Sequence, residues 1–182
     1  MGMLAIGISI MGSEYRHHTA VPTFLVTPKR SAVVAAKFVT GVAVGALLGA
    51  AAFGLAAASA TVALSSKGVH HFAGDTAQMW IGAAVATAIY GALGVALGAI
   101  ARNMVLAIVA ALVWVQVVEV AFLAATFPTV GKWMPTGANL ALTRTATNPE
   151  ELLRPLVAVP VLVAWAIALG VAARIVVVQR DV

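Results

Sequence analysis

The chain contains no cysteine. Disulfides, thiolate nucleophiles and zinc–thiolate centres are therefore excluded at the outset. Charge is nearly as scarce. Asp, Glu, Lys and Arg make up 9% of the residues, where an ordinary soluble domain carries about 25%. Catalytic patterns are missing too: there is no His-Glu-x-x-His spacing, no Gly-x-Ser-x-Gly elbow and no Gly-rich strand-to-helix loop to hold phosphate. Histidines occur as His17-His18 and His70-His71, on opposite sides of the first long apolar stretch, so the two pairs cannot meet to hold a metal or haem. The sequence shows no catalytic residues and no means of hydrolysing ATP itself.

What is present is apolar. Hydrophobic residues make up 62% of the 182 residues, against about 45–50% in a soluble domain. One soluble core of this size cannot hide that surface, so lipid must take the excess. The formal net charge of +5 does not point to nucleic acid, because the basic residues are scattered and form neither a basic face nor an aromatic platform. In a membrane protein such an excess marks cytoplasmic loops.

The predicted fold is an all-α, polytopic bundle of transmembrane helices forming a single membrane domain over 1–182. Four stretches are long enough to span, at 32–64, 79–100, 104–127 and 155–178. Lys37 stands near the start of the first and can snorkel to the interface. Residues 1–12 are apolar but reach only ~18 Å at ~1.5 Å per residue, short of a ~30 Å hydrocarbon core. They lack a basic n-region and a small-residue cleavage site, and are expected to be a partial helix whose beginning precedes Met1. Residues 13–31 form an elbow, and 128–154 an outer segment.

Charge orients this arrangement. Arg16, Lys29, Arg30, Lys37, Arg102, Arg174 and Arg180 fall on one side if alternate loops share a side, which makes that side cytoplasmic. Lys67, Asp75, Lys132, Arg144, Glu150, Glu151 and Arg154 fall on the other. In the outer segment Pro128, Gly131, Pro135 and Gly137 predict short pieces, and Asn148-Pro149-Glu150-Glu151 reads as a helix start. Trp80 and Trp133 are expected at the outer interface, with each indole N–H in water.

Within the spans, Gly41, Gly45 and Gly49 recur every fourth residue, as do Gly94 and Gly98. That spacing puts them on one helix face, where a second backbone can approach, either within the chain or across a subunit interface. Glu119 is the only acid well inside a span and must be protonated, paired or facing a wet cavity. Gln116, three residues earlier on an α-helical face, is a candidate hydrogen-bond partner. Tyr90, Trp114 and Trp165 lie near mid-membrane. With Gln116 and Glu119 they either line a path for an amphipathic substrate or serve packing alone.

The elbow is a short amphipathic segment. Polar residues flank Phe24, Leu25 and Val26, Pro22 opens a turn, Pro28 closes it, and Ser31 can cap the next span. Such a segment suits docking in a partner's groove or lying on the headgroups. Glu14, Arg16, Thr19, Leu25, Thr27, Pro28, Arg30 and Lys37 resemble, in order, the cytoplasmic signature of type-2 ATP-binding-cassette permeases. Trp133-Met134-Pro135-Thr136-Gly137-Ala138 and the ending Gln179-Arg180-Asp181-Val182 are also similar to that family, and the likeness covers essentially the whole chain.

The resemblance implies a permease subunit in the plasma (inner) membrane. It implies a second permease copy or homologue, surrounding lipid, and a cytoplasmic ATPase subunit that binds the ATP and Mg, so that this chain binds no cofactor. It places coupling on Glu14, Arg16, Thr19, Phe24, Leu25, Thr27 and Arg30. Family members have six spans, so the first and most of the second are expected ahead of Met1. The transported molecule is expected to be an exported amphiphile. The alternative from another class is a membrane anchor or assembly factor that holds a cytoplasmic partner without transport.

Overall fold

The computed structural model describes residues 2–16, 30–65, 76–101, 103–143 and 152–179. All regular structure among them is helical. In chain order it comprises α1 (Gly2–Arg16), α2 (Arg30–Ser65), α3 (Thr76–Ala101) and α4 (Met104–Val113). The last of these continues into a π-helix at Trp114–Leu123 and a closing α turn at Ala124–Thr126. Short helices α5 (Pro128–Gly131) and α6 (Pro135–Thr143) follow, then α7 (Pro155–Gln179). Four helices are long and apolar enough to cross a membrane, over Ala32–Ala63, Ala77–Ala101, Met104–Ala121 and Pro155–Val177.

Local chemistry sets the ends. Asn103 caps α4, its side chain accepting from Leu106 N at 3.0 Å. Pro128, Pro135 and Pro155 each stand at the first helical position, where the missing N–H removes no intrahelical bond. The 36 residues of α2 measure about 54 Å at about 1.5 Å each, well beyond a ~30 Å hydrocarbon core.

One helix organises the rest. The apolar window of α3 is 67% buried within the chain, whereas those of the other three long helices are 17–22% buried and leave their apolar faces outward. α1, α2 and α7 all pack on α3. The glycines explain how closely. A Cβ at Gly41 would sit 3.0 Å from the Gly91 carbonyl oxygen, and one at Gly45 would sit 2.8 Å from Ala88 Cα. On the other face, a Cβ at Gly94 would sit 2.8 Å from Gly7 Cα, and one at Gly98 would sit 2.8 Å from Ile8 O. Gly49 meets Thr87 in the same way. All of these close approaches lie within the chain.

The pairings also give direction. Gly94 meets Gly7 and Gly98 meets Met11, so α1 runs parallel to α3; Gly41 meets Gly91 and Gly45 meets Thr87, so α2 runs antiparallel. Lys37 Nζ donates to Ile10 O at 2.8 Å, clasping the end of α1 to the start of α2. Lys37 therefore points into a helix contact, not only toward headgroups. Gly12 packs on Met104, bringing the start of α4 to the same end.

Several boundaries differ from the sequence expectation. α1 continues past residue 12 to Arg16, because Ser13 to Arg16 end the apolar run without breaking a helix. Ser31 lies inside α2 and is not its cap. Leu152 to Arg154 are not helical, so a helix started at Asn148 cannot run on into α7; Asn148 to Glu151 lie outside the described residues. So do the four histidines and residues 17–29 of the elbow. Trp80 Nε1 donates to Ala50 O at 2.8 Å and so ties α3 to α2 where water was expected.

The α2–α3 contact yields a test. Gly45→Leu drives a side chain into the Thr87–Ala88 backbone and should destabilise the chain by at least about 1–3 kcal/mol, the usual range for overpacking. Gly54→Ala meets nothing within 4 Å and should hold stability or raise it by up to about 1 kcal/mol through helix propensity. Detergent-solubilised unfolding curves compare the two directly.

Candidate functional site

Glu119 is 3% exposed, deep in a region with few polar groups. Two donors hold it. Trp114 Nε1 donates to Oε1 at 2.7 Å, and the backbone N–H of Thr136 donates to Oε2 at 2.8 Å. Thr136 lies in the first turn of α6, where N–H groups have no intrahelical acceptor and the helix dipole favours negative charge. Both carboxyl oxygens thus accept from N–H groups.

The Trp114–Glu119 pair depends on the π-helix. In an α-helix, residues five apart point about 140° from one another at about 100° per residue. Inside Trp114–Leu123 the i→i+5 repeat stacks them on successive turns. The same change removes Gln116 from the site. It is exposed and makes no bond with Glu119, because the α-helical spacing that paired them does not hold in this segment.

Below the carboxylate lies a cavity of about 450 Å³. One face of α4 and the π-helix contributes Ala107, Ala110, Ala111, Trp114, Val115 and Glu119. α3 contributes Tyr90, Leu93 and Leu97, α7 contributes Trp165 and Leu169, and Leu4 and Pro135 complete the wall. The cavity extends along α3 from Tyr90 to Ala101, toward the end where Lys37 clasps α1 to α2. No Lys, Arg or His lines it among the described residues. A smaller pocket of about 140 Å³ is lined by Glu119, Lys132 and Thr136 among others. Glu119 therefore lines both spaces.

The surrounding polar atoms are placed with the same economy. Trp165 Nε1 donates to Trp133 O at 3.1 Å, fixing α7 to the turn between α5 and α6. Tyr90 is 5% exposed and lies beside Thr136 and Glu119. Thr136 Oγ1 is buried but makes no hydrogen bond of proper geometry. Trp133 itself is 46% exposed.

Of the residues singled out in the sequence, Tyr90, Trp114, Trp165 and Glu119 converge on one cavity. Gly41, Gly45, Gly49, Gly94 and Gly98 lie at helix contacts away from it. Glu14 and Arg16 fall in the last turn of α1 and Arg30 begins α2, while Thr19, Phe24, Leu25 and Thr27 lie outside the described residues. Sequence reasoning missed the Thr136 N–H as a partner of Glu119. The available signal was Pro135, which marks a helix start and hence a set of free N–H groups.

The two Glu119 bonds can be separated by substitution. Trp114→Phe keeps an aromatic ring but deletes a donor to a charged group, and should destabilise the folded chain by about 1.5–3 kcal/mol. Thr136→Ala keeps the N–H and deletes only the hydroxyl beside Tyr90, and should cost less than Trp114→Phe. Denaturant titration in a single detergent measures both.

No family model, curated protein or solved structure matches the chain, so the likeness to type-2 permeases rests on the quoted residues alone.

Proposed function

We propose that this chain is the membrane-spanning permease subunit of an ATP-driven transporter, an exporter of an amphipathic substrate. In this reading it acts as a dimer of permease subunits with separate cytoplasmic subunits that bind ATP and Mg. The observation that carries the reading is the cavity: an apolar chamber of about 450 Å³ with one buried acid in its wall. Its volume is that of a small-molecule site, about 300–1,000 Å³. A helix bundle serving only as an anchor has no need of such a chamber, nor of a buried acid that is expensive to keep in a membrane.

The coupling assignment is supported by position in the chain. The signature residues bracket the junction of α1 and α2, and Lys37, the last of them, ties the two helices through Ile10 O. A push on the elbow from an ATPase subunit would reach α1 and α2 together, and through their glycine contacts α3, which forms one wall of the cavity.

Orientation is tested in a chain free of cysteine. Single cysteines at Ser13 and Ser66, treated with an impermeant maleimide in intact cells, should react at Ser66 and stay protected at Ser13. The reverse pattern inverts the bundle and removes the ATPase from reach of the elbow.

Coupling is tested by Phe24→Ala/Leu25→Ala. Apolar surface buried against a partner is worth about 25 cal/mol per Å², so truncating both side chains should weaken association with the ATPase subunit by roughly 10²-fold. Insertion and expression should be unchanged. The measurement is co-purification with the ATPase and stimulation of its activity in membranes; undiminished values in the double variant contradict the coupling role.

A further inference from the structure

We infer that the cavity beneath Glu119 is a binding site for a lipophilic cation: a single positive charge carried on an apolar or aromatic body. This deepens the transport reading by naming the chemical class of its substrate.

The inference starts from a buried acid held by two neutral donors. Glu119 accepts one hydrogen bond on each oxygen, both from neutral donors. A carboxylate has about four acceptor positions, so these two bonds leave it partly unsatisfied, and they supply no counter-charge. The cavity wall carries no basic side chain among the described residues. Lys132 lines a smaller pocket that it shares with Glu119, and is not part of the cavity wall. A carboxyl group in a water-poor site gives up its proton most readily when a cation comes to lie beside it, and the space adjoining Glu119 is open to a guest.

The rest of the wall suits such a guest. Tyr90, Trp114 and Trp165 line the cavity together with the carboxylate. Both indole N–H groups are already committed, to Glu119 and to Trp133 O, so the rings have no donor left for a polar guest and offer it only their π surfaces. An aromatic surface near an anion recognises a weakly hydrated cation, with a cation–π contact stronger where water is excluded. Leu4, Leu93, Leu97 and Leu169 take the apolar body. A neutral lipid chain would fill the same volume but would bring nothing to offset the charge. An anionic amphiphile would place like charges together without screening.

The test uses the full chain purified in detergent, without any ATPase subunit. Tetraphenylphosphonium and tetraphenylborate share one shape and carry opposite charges. Each is measured separately by equilibrium dialysis, with protein-free micelles as the blank. Tetraphenylphosphonium should bind saturably, one per chain, and at least tenfold more tightly than tetraphenylborate. Glu119→Gln should weaken it at least tenfold. Ala110→Phe fills the cavity from an exposed lining position, leaves the carboxylate and its two donors in place, and should weaken it to a similar extent, so it decides the matter where Glu119→Gln does not fold. Equal binding of the two ions would overturn the proposal, as would tetraphenylphosphonium binding that neither variant diminishes. The Phe24→Ala/Leu25→Ala variant should bind the cation like the wild type. If cation binding holds while no ATPase co-purifies with the wild-type chain, the transporter reading fails and the cation site stands. If the ATPase couples but the ions do not discriminate, only the cation site is lost.

Discussion

Backbone-to-backbone contact along α3 is the constraint from which the rest of the bundle follows. In lipid, helices gain little by hiding apolar side chains from one another, because the surrounding tails are just as apolar. Close packing must supply the attraction, and it needs small residues. Gly91 faces Gly41 on one side of α3, and Gly94 and Gly98 face Gly7 and Ile8 on another. Two neighbours are thus drawn tight against one helix. The larger residues of α3, Tyr90, Leu93 and Leu97, line the cavity together with residues of α4 and α7. The cavity thus lies along a helix whose glycines hold two other neighbours close.

The sequence disclosed the parts governed by composition and periodicity. The four long apolar helices were legible from hydrophobicity alone, and the four-residue spacing of Gly41, Gly45 and Gly49 put them on one helix face, where each now meets α3. The short helices after Thr126 were legible in outline from Pro128 and Pro135, since proline at the first turn both permits and marks a helix start. Glu119 was conspicuous because it is the one acid within the spans.

What the sequence did not disclose depends on helical twist and on tertiary partners. Reading 104–127 at 3.6 residues per turn puts Gln116 beside Glu119; the π-helix puts Trp114 there. Nothing in Trp114-Val115-Gln116-Val117-Val118-Glu119 announces the wider turn, since its side chains are equally compatible with an α-helix. Trp80 was read as an interfacial anchor because an indole at a span end usually is one. It instead donates to Ala50 O, a partner thirty residues away that no local pattern identifies. The same applies to Lys37 and Ile10 O.

The manner of holding Glu119 explains why those long-range details matter for function. A lysine partner in the cavity would neutralise the acid permanently and leave a guest no charge to meet. Two neutral donors orient the carboxyl group without bringing a counter-charge to it. One donor comes from the π-helix and the other from the first turn of α6, so the acid also ties the end of one span to the short helices that cover it. A guest cation drawing on the same oxygens would compete with both bonds or strengthen the site around itself. Either way its arrival would be felt by α6, and by α7, which packs on it. One side chain therefore links the cavity wall to the π-helix and to α6.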